Sequence, residues 1–356
     1  MSIRSFARRI IPKSFVHSVR EFGARIDRSL LPVFAVSKWT ASLYYLFFNR
    51  GFGREHQGVL KGRIAYWRSL HEIAESCVLL RRNTHRLEKG LIMRPRRPSF
   101  AEAYIEETVV CYLRADQAGT VQADEMRWAK DVLDAYFAAV TDTPVIAKVR
   151  KLYSQAEHRH CQAASASSST PYPQSSLPES PVSTEQLATL FLKRRSTRWY
   201  LPKPVPEDKL REAVNLASLA PSACNRQPYE FYLINNAKRA SKIAKFAGGT
   251  VGFADNIPAL IVVVGDLNAY PMERDRHCIY IDGSLAAMQL MLALETMQLS
   301  TCPINWPDVE HREQQMQQEL GLKVHQRPIM LLAVGYADPE GGIPFSAKKS
   351  DVTLVK

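Results

Sequence analysis

Apolar residues recur at intervals of three and four through much of the first 161 residues, which is the spacing of one face of an α-helix. The recurrence over residues 64–90 ends at Gly90, a candidate for the residue that terminates a helix. Residues 100–118 and 122–140 show a similar recurrence, and strand-like alternation is absent from this region. The pattern predicts a helical N-terminal region over residues 1–161.

The rest of the chain alternates helical and strand-like segments. Ser183 and Gln186 are spaced as a capping box for a helix that ends near Lys193. Residues 282–298 form a long apolar segment, which predicts a buried helix that begins at Asp282. Asp282 is expected to be its N-cap, and orienting neighbouring groups is the alternative. Strands are predicted at three places: residues 230–234, 258–265 and 328–334. The architecture that follows for residues 184–356 is an α+β sandwich, with helices packed on a central sheet.

Residues 162–183 are rich in Ser, Pro and Ala and contain few large apolar side chains. Such a segment buries too little apolar surface to offset the loss of chain entropy on folding. We therefore predict a flexible linker between the N-terminal region, residues 1–161, and a C-terminal domain, residues 184–356.

The positive charge of the chain is concentrated near its start. The net charge is +12, yet residues 1–100 carry 20 Lys and Arg against 6 Asp and Glu, while the remainder carries 27 against 29. Cations interleave with apolar residues over residues 3–28, which is typical of a helix that lies on an anionic membrane; a loosely attached surface helix is the alternative. We expect peripheral membrane contact through residues 1–50. Nucleic acid is not an expected partner, because no recognised binding motif accompanies the charge.

The six cysteines contain no CxxC pair and no regular spacing, a distribution that does not predict zinc sites or disulfides. The His and Cys residues at 158–161 lack further ligands nearby, so no metal site is predicted. The longest apolar run, residues 33–48, falls short of the roughly 20 residues that span a bilayer. We expect a cytoplasmic protein that associates with membranes only at their periphery.

Two short segments carry the chemistry. The first, KRRSTR at residues 193–198, offers arginine forks and the Ser196 hydroxyl, which are suited to a phosphate; an exposed basic helix end is the alternative. The second, APSACNRQP at residues 220–228, holds the Asn225 and Gln227 amides in a turn, where they can donate and accept as a uracil-like ring edge requires. An ordinary Asx-type turn is the alternative there. Together the segments predict a phosphorylated cofactor with a polar heterocycle.

The order of segments along residues 184–356 resembles that of the FMN-dependent nitroreductase superfamily. The resemblance is carried by RRSTRWY, the segment ending in APSACNRQPYEFYLIN, the buried strand, YIDGSLAAMQLMLALETMQLSTCPI and a Lys-rich tail. It implies a nitroreductase-like sandwich with a central mixed sheet flanked by helices, and a homodimer with FMN at the dimer interface. The N-terminal region resembles no family that we can name.

The resemblance also implies which residues bind the cofactor. The residues that match the contacts to the phosphate and ribityl chain are Arg194, Arg195, Ser196 and Arg198, with Lys348 and Lys349 as a basic pair near the phosphate. Asn225 matches the amide that faces the flavin pyrimidine, and Gln227 lies nearby. The residues that match a loop whose backbone amides approach flavin N5 are Pro303, Ile304 and Asn305. Trp306, which follows them, stands where the family often has glycine.

An oxidoreductase is the predicted function, in which FMN takes a hydride from NADH or NADPH and reduces an electron-poor small molecule. No catalytic side chain is expected, because in such enzymes the flavin carries the chemistry and the protein binds and orients it. The alternative is an accessory or scaffolding protein that keeps the flavoprotein fold and acts at a membrane surface, or with a partner, through its basic N-terminal region.

Overall fold

The computed structural model of the protein describes residues 13–158 and 168–355. Two compact units divide the chain, Met1–His56 and Gln57–Lys356. The predicted basic helix is therefore described only from residue 13, and the segment 158–161 only at His158. Of the predicted linker, residues 162–167 fall outside the described part, and residues 168–183 contain one short 3-10 turn, Gln174–Ser176.

The described residues of the first unit, 13–56, form two helices and the start of a third: α1 (Lys13–Phe34), α2 (Lys38–Phe47) and α3 (Gly53–Ser69). Ser37 lies in the turn between α1 and α2, where its hydroxyl accepts a hydrogen bond from the Thr40 backbone N–H. The Thr40 side chain accepts in return from the Ser37 N–H, which completes a capping box. This turn fixes where α2 begins.

Four helices occupy residues 78–154: α4 (Val78–Leu91), α5 (Ile105–Ala118), α6 (Ala123–Ala139) and α7 (Pro144–Ser154). Their apolar faces form one buried core, and residues 13–158 contain no strand, as predicted. The pattern over residues 64–90 is not one helix, because α3 ends at Ser69 and α4 begins at Val78. Gly90 lies inside α4 and does not end it; a Cβ at Gly90 would lie 2.1 Å from the Phe100 ring, so the glycine makes room for that ring.

The C-terminal domain combines helices with one four-stranded sheet, so the predicted α+β class is confirmed. Its helices are α8 (Thr184–Lys193), α9 (Glu207–Ala217), α10 (Ala237–Ala244), α11 (Cys278–Thr296), α12 (Glu310–Leu320) and α13 (Asp351–Leu354). Its strands are β1 (Tyr229–Ile234), β2 (Ala259–Asp266), β3 (Ser300–Asn305) and β4 (Gln326–Gly335). The capping box at Ser183 and Gln186 is present and α8 ends at Lys193, as predicted.

The strands lie in the order β1-β2-β4-β3 and every neighbouring pair is antiparallel. The expected mixed sheet is thus antiparallel in its named strands, and the parallel pairing in the described chain is a single bridge between Ser196 and Thr301. Strand β2 is buried on both faces, in keeping with its continuous apolar sequence. Its alternate residues enter two separate cores, one on each side of the sheet.

Helix α11 packs across one face of the sheet and approaches it closely at two glycines. A Cβ at Gly283 would lie 2.4 Å from the Ile329 side chain, and one at Gly265 would lie 2.7 Å from Ile279. Among the described residues, the stretch Glu273–Thr296 is the one long and apolar enough, by length and composition, to cross a membrane. Its packing against β2 and β4 shows that it serves here as the core helix of the domain.

Helix α3 is held against the C-terminal domain at Gly62. A Cβ at that position would lie 2.7 Å from Leu267 Cβ and 2.8 Å from the Leu267 carbonyl oxygen. Because the obstacle includes backbone, it cannot rotate away as a side-chain tip can. Val59, one turn earlier, is buried in the same cluster as Leu267, Tyr270 and Ile279. The helical region after residue 57 and the C-terminal domain therefore share a core.

We predict that Gly62→Ala lowers the free energy of unfolding by about 2 kcal/mol, because the added methyl group must push α3 away from the Leu267 backbone. Urea unfolding followed by circular dichroism measures the change. The matched control is Gly53→Ala, in the first turn of the same helix, where a Cβ would meet nothing within 4 Å. Equal stability of the two variants would show that the close approach at Gly62 contributes nothing.

Candidate functional site

The cation-rich segment leaves the end of α8 and runs beside strand β3. Ser196 forms the parallel bridge with Thr301, and the Thr197 N–H donates to the Thr301 carbonyl at 3.0 Å. The buried Tyr200 hydroxyl donates to the Thr197 carbonyl at 2.6 Å and so fixes the segment from inside. Burial raises the pKa of the Cys302 thiol, and the nearby guanidinium groups of Arg198 and Arg194 oppose that rise.

The three arginines of this segment have no carboxylate partner among the described residues. Arg194, Arg195 and Arg198 form no ion pair with any residue in the described chain, and Lys193 stands 4.0 Å from Glu295. Arg195 donates instead to the carbonyl oxygens of Pro344 and Phe345 in the C-terminal segment. The Thr301 hydroxyl is buried and has no hydrogen-bond partner among the described residues. The set of donors therefore fits an anion such as a phosphate.

The second segment forms a strained loop between α9 and β1. Cys224, Asn225 and Gln227 have φ angles of 53°, 51° and 49°, in the left-handed region. Such a conformation costs about 1–3 kcal/mol for a residue other than glycine, and Asn tolerates it best. Strain of this kind is held by the surrounding structure and is concentrated at functional sites. The loop is therefore the strongest structural sign of a site in the C-terminal domain.

Arg81, on α4 of the helical region, holds this loop in place, and the sequence analysis did not identify it. Its Nε donates to the Asn225 carbonyl at 3.0 Å and its Nη2 donates to Gln227 Oε1 at 2.8 Å. Its Nη1 forms an ion pair of 2.9 Å with Glu125, whose side chain is 5% exposed. All three nitrogens of the guanidinium thus have partners. The sequence signal was weak, because Arg81 is one of several arginines in a helical pattern.

The two amides of the loop differ in what remains available. Gln227 is occupied at both ends, since its Nε2 donates to the Ser218 carbonyl at 2.7 Å while its Oε1 accepts from Arg81. The Asn225 side chain is half-buried and makes no hydrogen bond with a described residue. Asn225 is therefore the amide free to recognise a ligand, and Gln227 braces the loop.

Asp282 holds the loop through a hydrogen bond from the loop backbone. It does not cap α11, which begins at Cys278; it lies in the second turn, where its Oδ2 accepts from the Ala223 N–H at 2.9 Å. Burial raises the pKa of the Asp282 carboxyl, and the hydrogen bonds from Ala223 and Tyr270 oppose that rise. The capping role favoured for Asp282 is thus wrong, because the helix extends one turn further towards the N-terminus, and the hydrogen bond to Ala223 fits the alternative, that Asp282 orients neighbouring groups.

Helix α11 separates the two segments within one chain. Asp282 contacts the loop at residues 222–228, whereas Glu295 lies beside Lys193 and Arg194, whose charges oppose the burial that raises its pKa. Thirteen residues of α-helix span about 20 Å. The cation segment and the amide loop therefore lie near opposite ends of the same helix, about 20 Å apart along its axis.

The remaining residues predicted to bind FMN differ in secondary structure and in burial. Pro303, Ile304 and Asn305 belong to strand β3 and not to a loop, with Ile304 buried and the other two exposed. Proline is tolerated there because β3 is an edge strand. Lys348 and Lys349 are exposed in the C-terminal segment that follows the Arg195 contacts. Trp306 is buried and donates to Glu313 Oε1 at 2.7 Å, so its ring belongs to the core.

We predict that Arg81→Met weakens FMN binding about tenfold, because the loop loses two of its hydrogen bonds. It should also lower stability by about 3–5 kcal/mol, because Glu125 becomes an uncompensated buried charge. FMN titration and urea unfolding measure the two effects.

A double variant separates these effects. In Arg81→Met/Glu125→Gln the buried charge is gone, so stability should recover while FMN binding stays weak. Arg127→Met, which removes only a pair with Asp124 on the same helix, is the control and should change neither quantity by much. Recovery of both quantities in the double variant would show that Arg81 acts only through stability.

Comparisons with known proteins show which family the C-terminal domain resembles. The model of the Nitroreductase family matches residues 191–252 and 239–336. YdgI of Bacillus subtilis, which is named as an NAD(P)H nitroreductase, is 27% identical over 197 residues, covering 45% of this chain and 92% of that protein. The NADH dehydrogenase of Thermus thermophilus is 41% identical over 81 residues, which cover 22% of this chain and 38% of the Thermus protein.

Solved structures of similar proteins cover the same part of the chain. An FMN-dependent nitroreductase from Clostridium difficile has 24% identity and a TM-score of 0.39, and it covers 47% of this chain and 94% of that one. A nitroreductase family protein from Streptococcus pneumoniae has 22% identity and a TM-score of 0.41, and covers 48% and 98%. No family is assigned to the N-terminal region. The family match confirms the predicted resemblance of residues 184–356 to the nitroreductase family and the predicted oxidoreductase class.

Proposed function

We propose that the protein is an FMN-dependent oxidoreductase that takes a hydride from NADH or NADPH and reduces an electron-poor small molecule, such as a nitro compound, a quinone or an enone. The observation that carries the proposal is a pair of half sites: the cation segment, whose arginines have no carboxylate partner in the described chain, and the strained loop with the free amide of Asn225. Bound FMN would accept the hydride and pass it on, while the protein binds and orients the ring.

The cation segment is the proposed phosphate site. Neither Arg194 nor Arg198 pairs with a carboxylate in the described chain, and Arg198 makes one long hydrogen bond, of 3.4 Å, to the Ser196 carbonyl. Arg195 is partly occupied by the C-terminal segment, whose Lys348 and Lys349 follow within four residues of that contact. We assign the phosphate chiefly to Arg194 and Arg198, with Ser196 as a neutral donor and the two lysines as additional charge.

The loop at residues 222–228 is the proposed site for the pyrimidine edge of the flavin. The Asn225 amide can donate and accept at once, as that edge requires. Arg81 and Asp282 fix the backbone on either side of it, so the amide is oriented before the ligand arrives. Orientation that is complete in the free protein reduces the entropy lost on binding.

We further propose that one FMN is bound between two copies of the chain, with the phosphate site from one and the Asn225 loop from the other. The two half sites of a single chain lie about 20 Å apart along α11. The outer face of α11 between them exposes Ile281, Leu285 and Met288, an apolar stripe at helical spacing. A second copy of the chain, packed on that stripe about a two-fold axis, would bring the phosphate site of each chain next to the Asn225 loop of the other. The dimer would then contain two FMN sites.

We predict that Arg198→Met weakens FMN binding about tenfold and leaves riboflavin binding unchanged, because riboflavin has no phosphate. Flavin fluorescence quenching measures both affinities. Arg211→Met, which removes an exposed cation paired with Glu207, is the matched control and should alter neither. Protein that stays colourless after incubation with FMN would contradict the flavoenzyme and favour the accessory role.

We predict that Arg198→Met and Asn225→Ala complement each other when the two chains are co-expressed. At an FMN concentration below the Kd of either variant, each variant alone has two impaired sites, whereas a mixed dimer contains one site with both residues intact. With random pairing about a quarter of all sites are intact, so NAD(P)H oxidation should recover to about that fraction of the wild-type rate. Activity in the mixture no higher than in either variant would place both residues in a site within one chain.

A further inference from the structure

Helix α1 carries a narrow apolar stripe that no described residue of its own unit covers. Phe15, Val19, Phe22 and Ile26 are spaced by four, three and four residues, so they lie on one face. All four are exposed, and Phe15 and Phe22 expose 61% and 66% of their surface. Soluble proteins rarely expose contiguous apolar stripes of this size, and those that occur mark contacts with proteins or membranes.

Helix α2 repeats the pattern. Trp39, Leu43 and Leu46 are spaced by four and three residues and are exposed, with 73% of Trp39 accessible. Phe47 and Phe48 follow at the end of the helix and are also exposed. Aromatic residues with a polar edge, such as tryptophan, are favoured at the boundary between lipid headgroups and acyl chains.

The apolar residues cannot withdraw into a core within this unit, because other contacts hold the two helices as a hairpin. The Tyr44 hydroxyl donates to the Asp27 carboxylate, and Tyr44 is the residue of α2 that is buried. The Phe34 ring packs against Tyr44 and Phe48 at centroid distances of 5.8 and 5.3 Å. The hairpin thus uses one set of aromatic residues internally and leaves both stripes facing outwards.

The charge of the hairpin favours an anionic surface. Residues 13–56 contain seven Lys and Arg against three Asp and Glu. Arg25 and Arg28 are exposed on α1, and Lys38 stands over the Trp39 ring at 5.5 Å. Cations beside an apolar stripe are the pattern of helices that lie in the interface of anionic bilayers. A second copy of the hairpin would bring like charges together.

We propose that residues 13–48 form an interfacial hairpin that docks the protein on an anionic phospholipid bilayer, with the α1 and α2 stripes inserted among the headgroups and the cations on lipid phosphates. The hairpin would lie on the membrane and not cross it, because neither helix is both long and apolar enough to span a bilayer. The proposal is independent of the flavin site.

Flotation of the full-length protein with vesicles tests the proposal. The protein should float with vesicles of phosphatidylcholine and phosphatidylglycerol, and should remain at the bottom of the gradient with phosphatidylcholine alone. Raising the salt concentration to about 0.5 M should release most of it, since the Debye length falls well below 10 Å. Failure to float with the anionic vesicles, or equal flotation with both kinds, would overturn the proposal.

Two variants of α1 separate the effect of disrupting the apolar stripe from the effect of adding a negative charge. Phe22→Asp places a carboxylate in the apolar stripe and should reduce vesicle binding about tenfold or more. Ala24→Asp adds the same charge two residues further, on the opposite face, and should reduce it far less. Unchanged circular dichroism shows that both variants are folded. Equal loss of vesicle binding in both variants would show that the apolar stripe does not contact lipid. If Phe22→Asp forms a smaller oligomer than the wild-type protein in the absence of lipid, the stripe binds a second copy of the chain instead.

Discussion

The buried ion pair between Arg81 and Glu125 is the interaction on which the candidate site depends. An ion pair that is removed from water is stable only when hydrogen bonds satisfy the remaining groups of both ions. Glu125 accepts from the Ser76 hydroxyl and the Cys77 N–H as well as from Arg81. The other two nitrogens of Arg81 donate hydrogen bonds to the loop at residues 222–228. Part of the energy that holds three residues in left-handed conformations therefore comes from the helical region, outside the residues that the nitroreductase family model matches.

Helix α11 performs the second organising role. Its glycine contacts bring it close to the sheet, and its length sets the distance between the two half sites. Asp282 near one end and Glu295 near the other are both buried acids, and each faces a different segment of the site. The same helix that fills the core therefore determines where the cations and the amide loop can be. This explains why the apolar segment at residues 278–296 must stay long, although only its ends approach the site.

Prediction of structure from this sequence succeeded best where one local signal was sufficient. The capping box at Ser183 placed α8 within a residue, and the apolar run of β2 announced a strand buried on both faces. It failed where the tertiary structure decides: Gly90 accommodates a ring from elsewhere, and β3 pairs with β4 although Pro303 weakens its strand signal. The positions predicted for FMN came from a family resemblance, whereas Arg81 belongs to a region without one. A contact across 144 residues leaves no local pattern to detect.

The strained loop has a consequence for how the two halves of the Gln57–Lys356 unit communicate. Any ligand that binds only the left-handed form of residues 224–227 also favours the conformation of α4 in which Arg81 reaches that loop. Coupling of this kind is reciprocal, so a perturbation that shifts α4 must change ligand affinity by the same factor. The helical region then acts as a thermodynamic partner of the site, able to report on its occupancy and to regulate it. Whatever binds near residues 76–81 or 125 acquires, through one guanidinium group, an influence over redox chemistry elsewhere in the molecule.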